Sequence, residues 1–419
     1  YTAMSGLLGV AYSDVPQFVL LLVGRVALAF VLVDAAGGMS AMLDTVETLR
    51  GPEFLRPFPL GSEPMYGKWT VEPKTLVALV AAGLFSIAGT RSAVVQRSLA
   101  ARSEADAALG QVFNAVLTLA VRIVPLVVIG LSAIALVNDI DDPTLAWGQL
   151  VSDHAGPGLL GVLMVGLVAG YMSTIDTFLN FMTAGLFNDF YRRHLRPHAN
   201  DREQLWFCRG ATVAVTLVAY LWARVLVGHI DADWLNFINS VVGLFMLPLA
   251  LLRWTWWRLN IWGEIVAFVG GVPLAYIVWF PLGFKDQPYW QAFTVLFVVG
   301  WGTIIAATLL TRAEDRSVLE RFYRTVRPPG LWGPVADALE SEIGETARRE
   351  WRLDVCAAGA GLVFCVSLTT AVGAGFGRQW WLLAAMAVTL VASATAFYRF
   401  TLAADRLRRT VAAEDGAAS

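Results

Sequence analysis

Inside the apolar run from Leu159 to Phe187, residues 170–180 read GYMSTIDTFLN. A serine, two threonines, an aspartate and an asparagine thus sit where a membrane would supply only hydrocarbon. At about 100° per residue, Gly170, Ser173, Thr174 and Thr177 follow the i, i+3, i+4, i+7 spacing of one helical face, with Asp176 and Asn180 beside Ser173 on the adjoining face. Such a helix offers two neighbouring oxygen clusters. One joins the Ser173 and Thr174 hydroxyls to the backbone at Gly170, and the other joins Ser173, Asp176 and Thr177. Hard oxygens around a glycine-loosened helix are what a small monovalent cation such as sodium requires. Serine, threonine and glycine also let helices approach closely, and GLVAG at 166–170 is itself a GxxxG pattern. Packing has no need of a carboxylate, so Asp176 tips the balance toward a cation.

Ionisable and strongly polar groups at bilayer depth are costly unless paired, hydrated or bound to an ion, which makes the others worth naming. They are Arg25, Arg122, Asn236 and Asn239, with Asp14 and Asp34 near the ends of the first span. Arg25 and Arg122 are either charge-paired with Asp14 or Asp34 as a structural device, or face a cavity, where they would suit a carboxylate-bearing solute. Enzymatic chemistry finds little support. His154, His194, His198 and His229 all fall in loops, which excludes an intramembrane histidine-metal cluster. Cys208, Cys356 and Cys365 follow no metal or redox spacing, and GAGFG at 373–377 reads as a tight turn between two spans. Neither an enzyme, nor an organic cofactor, nor a nucleic-acid partner is expected.

The elements that must position these residues are membrane helices. Of the 419 residues, 57% are hydrophobic and 15% charged, with mean hydropathy +0.60, far too apolar for an ordinary soluble domain. Runs of about 20 apolar residues, long enough to span as helices, lie near 15–34, 75–90, 112–137, 158–187, 205–227, 234–252, 261–281, 289–310, 354–373 and 380–400. Alternating ten-residue strands are absent, so the fold class is all-α transmembrane with about ten spans. Loops around Arg91, Arg97 and Arg102, around Arg192, Arg193, Arg196 and Arg202, around Arg253 and Arg258, and from Arg312 to Arg352 are arginine-rich. They alternate with basic-poor ones, which places both chain ends on the cytoplasmic side of a cell membrane. The expected organisation is a membrane core at 1–312, a surface-lying cytoplasmic linker at 313–353, a final transmembrane pair at 354–402 and a cytoplasmic tail at 403–419.

These residues resemble a family. The stretch from Gly158 through Arg193 is similar to the helix of the sodium:solute symporter family that carries an MST-x-DS-x-LN pattern and a DIY-R-like cytoplasmic end. YTAMSGLLGVAYSDVPQ at 1–17 resembles its YT-x-x-GGL-x-AV-x-x-TD-x-x-Q segment, and VVQRSLAARSEADA at 94–107 its QR-x-LAA-x-S loop. WWRLNIWGEIVAFVGG at 256–271 resembles its second signature, a basic residue followed after four positions by Gly-Ala. Ser5 replaces the first glycine of the usual pair, and Glu264 the usual alanine.

The resemblance implies two inverted five-helix repeats with sodium as the coupling ion, held in a first site by the Gly170 carbonyl and the Ser173 and Thr174 hydroxyls. A second site would take Asp14, Ser173, Asp176 and Thr177. Asn239 falls at a solute-contacting position, or is a packing amide. An aromatic gate of sugar-transporting members would fall near Ser86 and Ile87, and its absence argues against a glucose-type sugar. The resemblance also sets Tyr1 at the end of the fourth core helix, so that about the first five family helices lie outside this chain. The expected activity is sodium-coupled symport of a small polar solute. The alternatives are a non-transporting membrane sensor or scaffold, or an inactive fragment, that keeps the same fold.

Overall fold

In a computed structural model the described residues are 2–57, 64–66, 69–70, 72–78, 98–137, 145–227, 234, 237–238, 247–328 and 330–417. Helix α1 (Thr2–Ala35) contains Pro16 and breaks at Gly6, whose φ of 59° lies in the left-handed region that favours glycine. A short helix α2 (Met39–Arg50) and an antiparallel ribbon of β1 (Pro64–Tyr66) and β2 (Trp69–Thr70) follow. Helix α3 (Glu104–Val116) begins where the Ser103 hydroxyl accepts the Asp106 amide at 3.1 Å. It passes through a wide π turn at Leu117–Arg122 into α4 (Ile123–Leu136). Pro125 has no N–H to give the carbonyl one turn back, which accounts for the widened ladder before it.

Helix α5 (Ala146–His154) is short, and Pro157 opens α6 (Pro157–Gly185), whose end widens into a second π segment at Leu186–Leu195. Asn200 caps α7 (Asp201–Leu226), accepting the Glu203 amide at 2.9 Å. After α8 (Leu247–Thr255) come α9 (Ile261–Trp279) and α10 (Tyr289–Leu310), which form a hairpin. Amphipathic α11 (Arg316–Val326) lays Leu319, Phe322 and Tyr323 against Trp332 and Val335. A short α12 (Gly333–Ala336) leads to α13 (Glu340–Phe376), paired along its length with α14 (Trp380–Ala417).

Among the described residues, eight helices are long and apolar enough to cross a membrane: Leu8–Ala35, Glu104–Leu136, Pro157–Leu195, Asp201–Leu226, Ile261–Trp279, Tyr289–Leu310, Arg348–Phe376 and Trp380–Thr410. They match eight of the ten expected spans, and the runs at 75–90 and 234–252 fall mostly outside the described residues. The protein is thus a multi-pass α-helical membrane protein. Much of its apolar surface faces outward. On α7, Leu217, Val218, Leu221, Trp222 and Val225 are all exposed, as a lipid-facing surface requires.

The part of the fold that positions the site is the packing around α1. One side of α1 runs antiparallel to α6, with Gly24 against Val162 and Leu163 and Leu21 against Gly166 and Gly170. Its outer half packs through Leu28, Ala29 and Leu32 with Val128, Ile129 and Leu131 of α4, and with Met42, Leu43 and Val46 of α2.

Candidate functional site

The GxxxG pattern in α6 has its packing use. A Cβ at Gly166 would stand 3.2 Å from the Cα of Leu21, and one at Gly170 would stand 3.4 Å from Leu21 Cδ2. With no side chain in the way the two backbones approach closely. One turn further along α6, the Ser173 hydroxyl donates to Asp14 Oδ1 of α1 at 2.6 Å. The close approach and the polar contact therefore share one seam. The glycines set the helix separation at which a serine reaches a carboxylate.

Around that contact the hydroxyl hydrogens are committed to the helix. Thr174 Oγ1 donates to the Gly170 carbonyl at 3.1 Å, and Thr177 Oγ1 to the Ser173 carbonyl at 2.9 Å. A hydroxyl that donates to its own backbone keeps its lone pairs directed outward. Thr177 Oγ1 also lies 3.4 Å from Asp176 Oδ1. Asp176 is 2% exposed and Thr177 5%, whereas Ser173, Gly170 and Asp14 are half-buried and Thr174 is exposed. One expected oxygen set, Gly170, Ser173 and Thr174, thus occupies a single open turn of α6. Of the other set, Asp14 meets Ser173 across α1 and α6, and Asp176 and Thr177 meet one turn further along α6. Its donors are all hard oxygens, two of them carboxylate, which suits a sodium ion better than a transition metal.

The expected pairing of Arg25 or Arg122 with Asp14 or Asp34 is not formed. The Asp14 carboxylate faces α6, three helical turns from Arg25, and Asp34 is exposed near the end of α1. Arg25 and Arg122 instead feel each other's charge across the α1–α4 packing. Asn236 and Asn239, like Ser86 and Ile87, lie outside the described residues.

Below the oxygen clusters, the end of α6 is tied to α7. Tyr191 donates to Glu203 Oε1 at 2.6 Å, Arg196 lies 3.7 Å from the same oxygen, and the rings of Tyr191 and Phe207 stand 4.4 Å apart between centroids. Residues 253–264 hold two features that sequence reasoning passed over. Asn260 caps both helices of the α9–α10 hairpin: its Oδ1 accepts the Gly263 amide at 3.2 Å, while its Nδ2 donates to Thr311 Oγ1 at 2.7 Å and the Arg312 carbonyl at 2.8 Å. An asparagine placed directly before an apolar helix was the available signal. Glu264, in turn, receives Arg253 Nε at 3.0 Å and Nη2 at 2.7 Å.

A family model described as the sodium:solute symporter family matches residues 1–271. The chain belongs to that family. Over 339 residues it is 28% identical to the sodium/glucose cotransporter of Vibrio parahaemolyticus, covering 74% of this chain and 60% of that protein. Over 185 residues it is 27% identical to the high-affinity proline transporter PutP of Bacillus subtilis, covering 43% and 37%. Over 312 residues it is 26% identical to the sodium/myo-inositol cotransporter 2 of Rattus norvegicus, covering 66% and 45%. The chain thus spans between about a third and three-fifths of the relatives' own length. Within this symporter family, the two hydrogen bonds from Arg253 to the Glu264 Oε1 give a physical reason for a glutamate where the second signature has alanine. Helices α13 and α14 lie beyond the matched residues.

Proposed function

We propose that this protein is a sodium-coupled symporter, or the carboxy-terminal part of one, that moves a small polar organic solute across the cell membrane by alternating access. The observation that carries the reading is the Ser173–Asp14 hydrogen bond of 2.6 Å. It puts the Asp14 carboxylate beside the Ser173 hydroxyl at the α1–α6 crossing, which supports a cation there. Sodium is the cargo that such an oxygen set takes. Gly170, Ser173 and Thr174 form the first site, and Asp14, Ser173, Asp176 and Thr177 the second, with Asn239, Arg25 and Arg122 on the solute path.

The coupling follows from differential affinity. Cation binding between α1 and α6 favours the arrangement in which the crossing is closed, and release toward the cytoplasm favours the other. Residues 1–312 act as the transporting core, 313–353 as a cytoplasmic linker, 354–402 as an added membrane pair and 403–419 as a cytoplasmic tail. The relatives named for proline, glucose and myo-inositol leave a polar organic molecule as the shared cargo class.

The test is uptake into proteoliposomes holding the full-length protein, with an inward sodium gradient and a panel of radiolabelled sugars, amino acids and carboxylates. Changing Ser173 and Thr174 together to alanine is expected to abolish the sodium-dependent part. Uptake and sodium dependence unchanged in that double variant would remove the site.

A further inference from the structure

Arg25 and Arg122 are two like charges in the described membrane helices. Arg25 stands one turn before Leu28 and Ala29, which pack against α4. Arg122, just before α4, stands seven residues before Ile129 and so in line with the face of α4 that meets α1. Both residues therefore lie on the helix faces that form the α1–α4 seam, where their like charges repel one another. Among the described residues, neither has a carboxylate or hydrogen-bond partner. Arg122 is the last residue of the π turn at Leu117–Arg122 and leads directly into α4. Arg25 is half-buried and Arg122 exposed, so the seam is open on the Arg122 side.

Two like charges at this depth call for an anion between them. Guanidinium groups match the planar fork of a carboxylate, with two parallel hydrogen bonds each. The depth discriminates between sources. Arg25 is ten residues from the end of α1 at Ala35, about 15 Å along the axis at 1.5 Å per residue. That is half of a hydrocarbon core about 30 Å thick, out of reach of a lipid phosphate at the headgroup level. We infer that Arg25 and Arg122 together bind the carboxylate of the transported solute, which assigns the cargo to small organic acids and amino acids rather than to neutral sugars. This inference rests on the transporter reading and adds the substrate class to it.

The experiment is arginine-selective modification of the full-length protein in phosphatidylcholine vesicles. Phenylglyoxal incorporation at residues 25 and 122 is followed by mass spectrometry, with and without acetate, lactate, succinate, proline or glucose at millimolar concentration in sodium buffer. At least one carboxylate is expected to slow labelling of both arginines fivefold or more while glucose leaves it unchanged. Equal labelling with every probe, or protection by glucose, would overturn the inference. So would protection in phosphatidylglycerol vesicles without solute, which would assign the pair to lipid phosphate.

Parallel uptake measurements separate this inference from the one beneath it. Carboxylate protection that is indifferent to sodium removes the coupling and keeps the anion site. Sodium-driven uptake of glucose with no carboxylate protection keeps the coupling and removes the anion site. Arg122→Lys, which retains the charge and loses the fork, is expected to raise the KM for the carboxylate about tenfold with kcat within twofold, and an unchanged KM would count against bidentate binding.

Discussion

Two helix junctions in this protein are built from opposite materials. The α1–α6 crossing is made of glycines under a leucine, with a serine and an aspartate joined at 2.6 Å within the membrane. The α13–α14 hairpin is fastened to the rest of the chain by arginines at its two ends. At one end Arg378 donates to Asp44 Oδ1 at 2.7 Å and to the Ser40 carbonyl and hydroxyl at 3.1 and 3.0 Å, all on α2. At the other, Arg408 joins Asp354 Oδ2 at 2.6 Å and also Glu104 at the start of α3. These end groups are water-accessible, so their attraction is screened and individually modest. The half-buried Asp14 carboxylate at the crossing accepts the Ser173 hydroxyl, and on the proposed reading a cation, rather than adhesion, accounts for a carboxylate at that depth.

The largest effect that distinguishes the two junctions is expected from Gly166→Leu. Its Cβ would meet the Leu21 backbone at 3.2 Å, which cannot move aside as a side chain can. Overpacking of this kind costs about 1–3 kcal/mol. The full-length variant is expected to lose sodium-dependent uptake entirely and to melt several degrees lower by intrinsic fluorescence. Gly361→Ala in α13 meets only the Phe397 ring, at 3.3 Å, and is expected to leave both readouts near wild type. Similar melting losses for the two variants would erase the contrast.

Next comes Asp14→Asn, which keeps an oxygen to accept the Ser173 hydroxyl and removes the charge. If the carboxylate serves a cation, half-maximal sodium for uptake should rise at least tenfold while the melting temperature stays within about two degrees. A large loss of stability with unchanged sodium dependence would instead make this contact a structural one.

How much of this was legible in the sequence depends on the range of each interaction. Eight spans followed from apolar length alone, and the shared face of Gly170, Ser173, Thr174 and Thr177 from helical periodicity, both of which are local properties. Asp14 lies 159 residues from Ser173, and only the resemblance to a family suggested that they meet. The Arg378–Asp44 and Arg408–Glu104 bonds join residues 334 and 304 apart and carry no periodic signal, so nothing in the chain announces them. The pairing expected for Arg25 failed for a geometric reason. Sequence supplies a list of opposite charges in one span, but helical rise puts Asp14 three turns away, beside a serine. The π segments were equally hidden, although Pro125 was a cue to the first.

The smallest expected effects lie at the hairpin ends, and they also test whether those ends do more than fasten. Arg408 bridges two carboxylates from different helices and is about a third exposed, whereas Arg378 faces an aspartate that is 60% exposed. Arg408→Gln should therefore lower the melting temperature more than Arg378→Gln, each by about 1 kcal/mol or less in stability. Both differences should shrink between 0.05 and 1 M potassium chloride, because screening weakens the wild-type attraction that the variants lack. Sodium-dependent uptake per folded molecule should stay unchanged in both. A drop in that rate without a drop in stability would mean that the fastening at α3 or α2 moves during transport, and the hairpin would then belong to the working core.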